Sequence, residues 1–502
     1  MGREMRKIPH TMATQHPDNA AKHHFSGKAF VTTQEEVDEC FNAYSELNCK
    51  EYMWDWEGKH VDEGVTDKLI ESHFEYFQKN QLGRDLFLTF RIPNIWVEKG
   101  YRVARAFANI IAANDFMEEM KLHAPPLFEL ILPMTTSAQK LFFIRSKYSE
   151  IVKAFEFVKE PGPSDISLIP LIEEPEPMLN AHNLLEEYRE ICMRSSFKKY
   201  EIEYIRPFIA RSDPALTSGH VPAVISAKAA LSRFAEFSER TGIPTYPIIG
   251  VGSLPFRGGL SPETIEDFEN QYAGVRTVTV QSGFRADYPE EDVKKGIHKL
   301  NDGLSGKAKI YSEEEIGEIR KLNKMFSGFY EHTVENLAGV VEISKFVPQR
   351  RERKLHIGLL GYSRQVGNKK MPRAIPFTCA FYSLGVPPEF IGTGRGMKAA
   401  EKEKLLEFLL DENKHLKNEL LRAGNYLNKE NLAVFAKSSP EWKDVQEDVK
   451  LAEELLGVEF APKESEHMIH RNITSNIRLL MHAKKDISAD LLKAAEIRRS
   501  LG

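Results

Sequence analysis

Two acids close consecutive apolar runs of this 502-residue chain: Glu173 ends ISLIPLI, and Asp213 follows IEYIRPFIA by three residues. If those runs are neighbouring strands, the two carboxylates can hold one hard cation, Mg2+ or Mn2+, with waters and substrate oxygens filling the octahedron. Two unrelated surface acids are the alternative. Arg91, Arg211, Arg257, Arg285 and Arg364 also stand at or near the ends of such runs. Planar, permanently charged guanidinium groups suit a ligand bearing both a carboxylate and a phosphate. The stretch IIGVGSLPFRGGLSPET (Ile248–Thr264) sets Arg257 beside Gly258 and Gly259, whose amides could approach an anion. Ser261 reads as the N-cap of a following helix. The stretch lacks both GxGxxG and GK[ST] spacing, so it is either an anion loop or a plain turn.

These residues need a frame that gathers them. Eight short runs rich in β-branched and aromatic residues alternate with amphipathic stretches. The runs are Glu51–Trp56, Asp85–Arg91, Leu127–Met134, Ile166–Glu174, Ile202–Ala210, Thr245–Gly252, Arg276–Gly283 and Lys354–Tyr362. The pattern predicts an α/β fold, a (β/α)8 TIM barrel with additional helices and a helix-rich C-terminal region; a doubly wound open sheet is the alternative. In a barrel the strand ends converge on one face, bringing Gln281 together with the acids and arginines above. The expected division is an N-terminal extension over 1–50 and a barrel over 51–395 interrupted by an insertion at about 286–353. A helical region over 396–502 packs on the barrel or on a partner subunit. GTGRG (Gly392–Gly396) reads as a glycine turn, and KHH (Lys22–His24) as a solvated loop.

The bulk composition narrows the partners. A net charge of −5 and 42% hydrophobic residues describe a globular chain with no polyanion-binding surface, so no nucleic-acid partner is expected. Four scattered cysteines without CxxC spacing predict reduced, buried thiols. Neither a signal-like apolar segment nor a membrane-length apolar stretch stands in the sequence, so a cytoplasmic protein without a membrane partner is expected.

Six segments in order resemble archaeal-type phosphoenolpyruvate carboxylases, the short form of that family. TQHPDN (Thr14–Asn19) is similar to the family's TxHPT motif, PLIE (Pro170–Glu173) to PLFE, and ARSDPA (Ala210–Ala215) to GYSDSxKD. GVGSLPFRGG (Gly250–Gly259) is similar to GRGGSxGRGG, VTVQSGFR (Val278–Arg285) to VTEQGExxR, and RAIPF (Arg373–Phe377) to RAIPW. The resemblance spans roughly residues 10 to 395. It implies oxaloacetate and phosphate formed from phosphoenolpyruvate and bicarbonate, through carboxyphosphate and an enolate. It also implies a homotetramer. Glu173 and Asp213 would be the metal ligands, and His16, Arg257, Arg285 and Arg91 the catalytic residues. Gly258, Gly259, Gln281, Arg211 and Arg364 would bind substrate.

The chain departs from the family at two positions. The lysine of GYSDSxKD falls on Leu216, and the first arginine of the glycine loop falls on Val251. Arg211 or Arg364 could substitute, and an aspartate or malate inhibitor site is not expected. The competing readings are another lyase or phosphotransferase of the phosphoenolpyruvate/pyruvate barrel group, and a non-catalytic barrel that binds an acidic metabolite.

Overall fold

The computed structural model describes residues 6–61, 64–155, 165–195, 201–304, 306–337, 339–352, 354, 362 and 364–502. Eight parallel strands close into a barrel in chain order. They are β1 (Thr11–Thr14), β2 (Glu51–Asp55), β3 (Phe87–Arg91), β4 (Glu129–Leu132), β5 (Ser167–Ile172), β6 (Phe208–Ala210), β7 (Ile248–Gly250) and β8 (Thr277–Val280). The TIM barrel expected from the sequence is therefore present, but its strand assignment needs a correction at each end. Seven of the eight runs contain a barrel strand. The remaining strand is TMAT, inside the segment read as an N-terminal extension. Thr11, Met12 and Ala13 pair with Val278, Thr279 and Val280 and close the ring. The run Lys354–Tyr362 is not needed for closure, and its residues 355–361 lie outside the described ones.

The strand period of two sorts the side chains. Met12, Met53, Ile131, Ile169, Phe208 and Ile248 meet inside the barrel. Their neighbours Ala13, Tyr52, Trp54, Leu130 and Leu168 face outward and pack beneath the surrounding helices. Below the inner apolar layer, near the N-terminal strand ends, Arg206 bonds both Glu51 and Glu129. Above that layer, register decides what meets at the mouth. Asp55 and Arg91 are cross-strand partners of β2 and β3, so an acid and a base face each other at one level.

The helices Val65–Ser72, Tyr101–Glu119, Ala138–Ala154, Ala181–Arg194 and His220–Thr241 fall within or across the predicted amphipathic stretches. Beyond the barrel, Glu313–Asn336 opens with a Ser312–Glu315 capping box and joins a second core with the C-terminal helices. GTGRG is no free turn. Gly392 adopts φ +74°, and the helix Thr393–Lys402 then presses on Pro440–Leu456. A Cβ at Gly394 would lie 2.0 Å from the Asp448 carbonyl oxygen, so only glycine permits that approach.

Candidate active site

The C-terminal strand ends surround a cavity of about 640 Å3. From β2 and β3, Arg91 grips Asp55 with two parallel bonds, Nε at 2.9 Å and Nη2 at 2.7 Å. Its Nη1 lies 2.8 Å from Glu57. Burial works against the Arg91 charge, but Asp55 and Glu57 outweigh it and raise the pKa. From β5 and β6, Glu173 and Asp213 converge on one cation. Arg364 Nη2 lies 2.9 Å from Glu173 Oε2, and its Nε 3.4 Å from Asp213 Oδ1. Burial pushes Glu173 up to about 8; Arg364 opposes this, while Asp213 and Glu57 add to it. Despite that proximity, Glu173 Oε2 is buried and accepts no well-formed hydrogen bond.

A divalent cation fits this pair. The two acids end adjacent strands, share a single arginine, and include an oxygen whose hydrogen-bonding capacity is unused. Among the described residues no third His, Cys, Asp or Glu joins them, so further ligands would have to be waters or substrate oxygens.

From β7, the chain turns through the short 3-10 segment Pro255–Arg257, which brings the Arg257 side chain back into the cavity wall. Its donors reach Ser212 Oγ at 3.2 Å, Asp18 Oδ2 at 3.0 Å, Gln281 Oε1 at 2.6 Å and the Gly502 carbonyl oxygen at 2.5 Å. Gly258 takes φ +117°, and a Cβ there would stand 2.4 Å from Val251 Cγ1. The glycine is required to fold the loop over a valine, at the position where the family resemblance expects an arginine.

His16 stands two residues past the end of β1 and lines the same cavity. The Thr14 hydroxyl lies 2.8 Å from its Nδ1, and Nε2 makes no hydrogen bond among the described residues. Burial holds the imidazole well below its ordinary pKa; Arg91 reinforces this, Asp55 opposes it, and Arg257 and Arg373 add smaller lowering contributions. The ring is thus a neutral base at pH 7.

The structure brings together His16, Arg91, Glu173, Arg211, Asp213, Arg257, Gln281 and Arg364 along the cavity. Arg211 is fully buried in the wall, however, and its guanidinium turns to the Tyr272 hydroxyl at 2.9 Å and His220 Nδ1 at 3.3 Å. Three expected residues do not line the cavity. Arg285 sits in Ser282–Ala286 and bonds the Thr14 carbonyl at 2.6 Å and Glu39 at 2.8 Å. The Gly258 and Gly259 amides donate within their own turn, to the Pro255 and Leu254 carbonyls. Ser261 is not the N-cap: the helix is Ile265–Gln271, capped at Thr264. At the family's lysine position, Leu216 is buried core. His24 Nε2 lies 2.8 Å from Asn42 Oδ1, and His23 is buried with its pKa lowered, chiefly by burial, to about 3, so KHH is not the solvated loop expected.

Sequence reasoning passed over Asp18, Arg350, Arg351 and Arg373. Arg350, Arg351 and Arg373 line the cavity, and Arg373 lies 3.6 Å from Glu57. The signal for Arg373 was its place at the head of RAIPF, and that for Asp18 its place two residues after His16. Arg350 and Arg351 carried no motif.

No helix among the described residues is long and apolar enough to cross a membrane. Comparison with known proteins agrees with the geometry. The family model described as phosphoenolpyruvate carboxylase matches residues 8–502. A phosphoenolpyruvate carboxylase of Oenococcus oeni is 40% identical, the match covering 94% of each chain. Those of Metallosphaera sedula and Methanothermobacter thermautotrophicus are 38% and 37% identical, over 99% of this chain and 100% of theirs. A cavity ringed by arginines, two adjacent acids and a neutral histidine thus sits in a chain that belongs, over nearly its whole length, to the archaeal-type phosphoenolpyruvate carboxylase family.

Proposed function

We propose that this chain carboxylates phosphoenolpyruvate with bicarbonate, forming oxaloacetate and phosphate, as a carbon–carbon lyase. The observation that carries the reading is one cavity wall holding both the Glu173–Asp213 pair and a neutral His16. Glu173 and Asp213 would hold Mg2+ or Mn2+, which supplies Lewis-acid stabilisation of phosphoryl oxygens when bound. Arg91 and Arg257, fixed by carboxylates before substrate arrives, present preorganised positive charge to the phosphoryl group and the enolate. Arg364 is the cation that Glu173 and Asp213 would release toward substrate, and Gln281 and Arg211 hold the neighbouring guanidinium groups and wall in place.

Bicarbonate attacks phosphorus, giving carboxyphosphate and the enolate of pyruvate. His16, uncharged and able to accept a proton, then assists loss of CO2 from carboxyphosphate beside the enolate. Carbon–carbon bond formation between the enolate and CO2 then gives oxaloacetate, provided water does not first protonate the enolate to pyruvate. Arg285, bonded to the Thr14 carbonyl, supports the strand end that carries His16. Gly258 and Gly259 shape the loop that returns Arg257. A cytoplasmic homotetramer with neither nucleic-acid nor membrane partners completes the proposal.

The test is oxaloacetate formation coupled to malate dehydrogenase, with phosphoenolpyruvate and Mg2+ or Mn2+, with and without bicarbonate. Bicarbonate-dependent NADH oxidation is expected. Folded protein that binds metal but yields no oxaloacetate would reject the assignment.

A further inference from the structure

We infer that Asp18 is a positioning residue for catalysis: its buried carboxylate fixes the Arg257 guanidinium in the cavity wall by tying it to β1 and the turn after β8. The inference rests on the carboxylase reading and deepens it. Asp18 is fully buried, and both of its carboxylate oxygens are used. Oδ2 accepts from Arg257 Nη1 at 3.0 Å. Oδ1 accepts from the Gly283 amide at 2.7 Å and faces Ser282 Oγ at 3.0 Å. The Asp18 backbone is held as well, its amide donating to Ser282 Oγ and its carbonyl accepting from the Leu501 amide at 2.7 Å. Gly283 admits this approach because a Cβ there would stand 3.3 Å from the Asp18 carboxyl carbon.

Arg257 comes from a different strand end, and Asp18 is its only carboxylate side-chain partner within salt-bridge distance among the described residues. The other acceptors are the neutral Ser212 and Gln281 side chains and the main-chain oxygen of Gly502. A buried arginine whose carboxylate side-chain partner becomes an amide loses a charge-assisted bond and faces a competing N–H. The guanidinium would then shift, and a misplacement of about 1 Å at a reacting centre costs on the order of 100-fold in rate.

The experiment is a double-mutant cycle on kcat with Asp18→Asn, Arg257→Ala and the pair together, with melting curves confirming folded protein. Asp18→Asn is expected to lower kcat about 100-fold with little change in KM, since charge developing in the reaction is what Arg257 meets. In the Arg257→Ala background it should change kcat by no more than about 2-fold. An equal loss in both backgrounds would overturn the inference. If Asp18→Asn does not fold, Ser282→Ala takes its place in the cycle, stripping one contact from the carboxylate while keeping its charge. A crystal structure of the variant supplies a readout independent of turnover: Arg257 is expected to leave Gln281 and Ser212. An inactive wild type would sink the carboxylase reading, while Arg257 found unmoved in that crystal would sink the role of Asp18.

Discussion

The barrel carries two triads of the same stoichiometry at its opposite ends, each with one arginine between two acids. At the closed end, Arg206 bonds Glu51 at 2.5 and 3.0 Å and Glu129 at 2.5 Å. The Thr89 and Tyr204 hydroxyls donate to the same acids, and all three charged side chains are at most 1% exposed. At the open end, Arg364 meets Glu173 at 2.9 Å and Asp213 at 3.4 Å, with Asp213 28% exposed and Glu173 Oε2 lacking a hydrogen bond. The first arrangement has used up its acceptors and can only hold strands together. The second keeps carboxylate capacity in reserve, at some cost in stability, as a site for a cation and substrate must.

The sharpest way to break the comparison is to neutralise one acid at the open end. Asp213→Asn should lower oxaloacetate formation by about 1000-fold or more at ordinary metal levels, as the proposed ligand role requires. The thermal midpoint should not fall, since a partly exposed acid next to a buried Glu173 is relieved of like charge. Activity with unchanged metal dependence would remove Asp213 from the cation site. His16→Asn comes next. Loss of the base should cut oxaloacetate about 100- to 10,000-fold while phosphoenolpyruvate is still cleaved to pyruvate and phosphate. Oxaloacetate and phosphate released in equal amounts at the normal rate would deny His16 this role.

The closed end should answer in stability instead. Arg206→Met leaves Glu51 and Glu129 buried with neither a counter-charge nor their guanidinium donor. Breaking such a pair costs about 3–5 kcal/mol. Denaturant unfolding of the apoprotein should show that loss, while KM measured on the remaining folded enzyme stays as in wild type. A variant as stable as wild type would mean that the triad contributes nothing net.

The two ends also differ in how far the sequence reveals them. Apolar runs separated by amphipathic stretches expose seven strands, and the acids that close β5 and β6 stand where the period predicts. β1 escapes because TMAT is only four residues between prolines 9 and 17, too short to show a period. The apolar run at Lys354–Tyr362, whose residues 355–361 lie outside the described ones, took its place in the sequence reading, and the barrel closes without it. Position at a strand end also does not fix direction. Arg285 lies one helical turn past β8, so its side chain swings to Glu39, whereas Arg257 is folded back by the Pro255–Arg257 turn. Asp18 and Arg257 are 239 residues apart, and no local pattern announces their meeting.

The smallest expected effect separates the ends by pH. The Arg206 guanidinium stays charged throughout the accessible range, so the closed end adds no arginine titration near neutrality. At the open end the imidazole of His16 is held neutral, chiefly by burial, with a folded pKa well below 6.5. Between that folded value and 6.5 the unfolded chain therefore binds more protons at this site than the native one. This one group thus lowers stability as pH drops below about 6.5, with a slope of at most about 1.4 kcal/mol per pH unit, while the raised carboxyls of Glu173 and Asp287 act in the opposite sense. His23 and His470 are also lowered and contribute slopes of their own, so the wild-type curve alone cannot isolate His16. The difference between wild type and His16→Asn can, because the other histidines and the raised carboxyls are common to both. Apoprotein unfolding free energies measured from pH 7.5 down to about 5 should show a shallower acid slope in the variant. Parallel curves would mean that the ring is already solvated or paired in the native state. The open end would then lack the neutral base that separates it from the closed one.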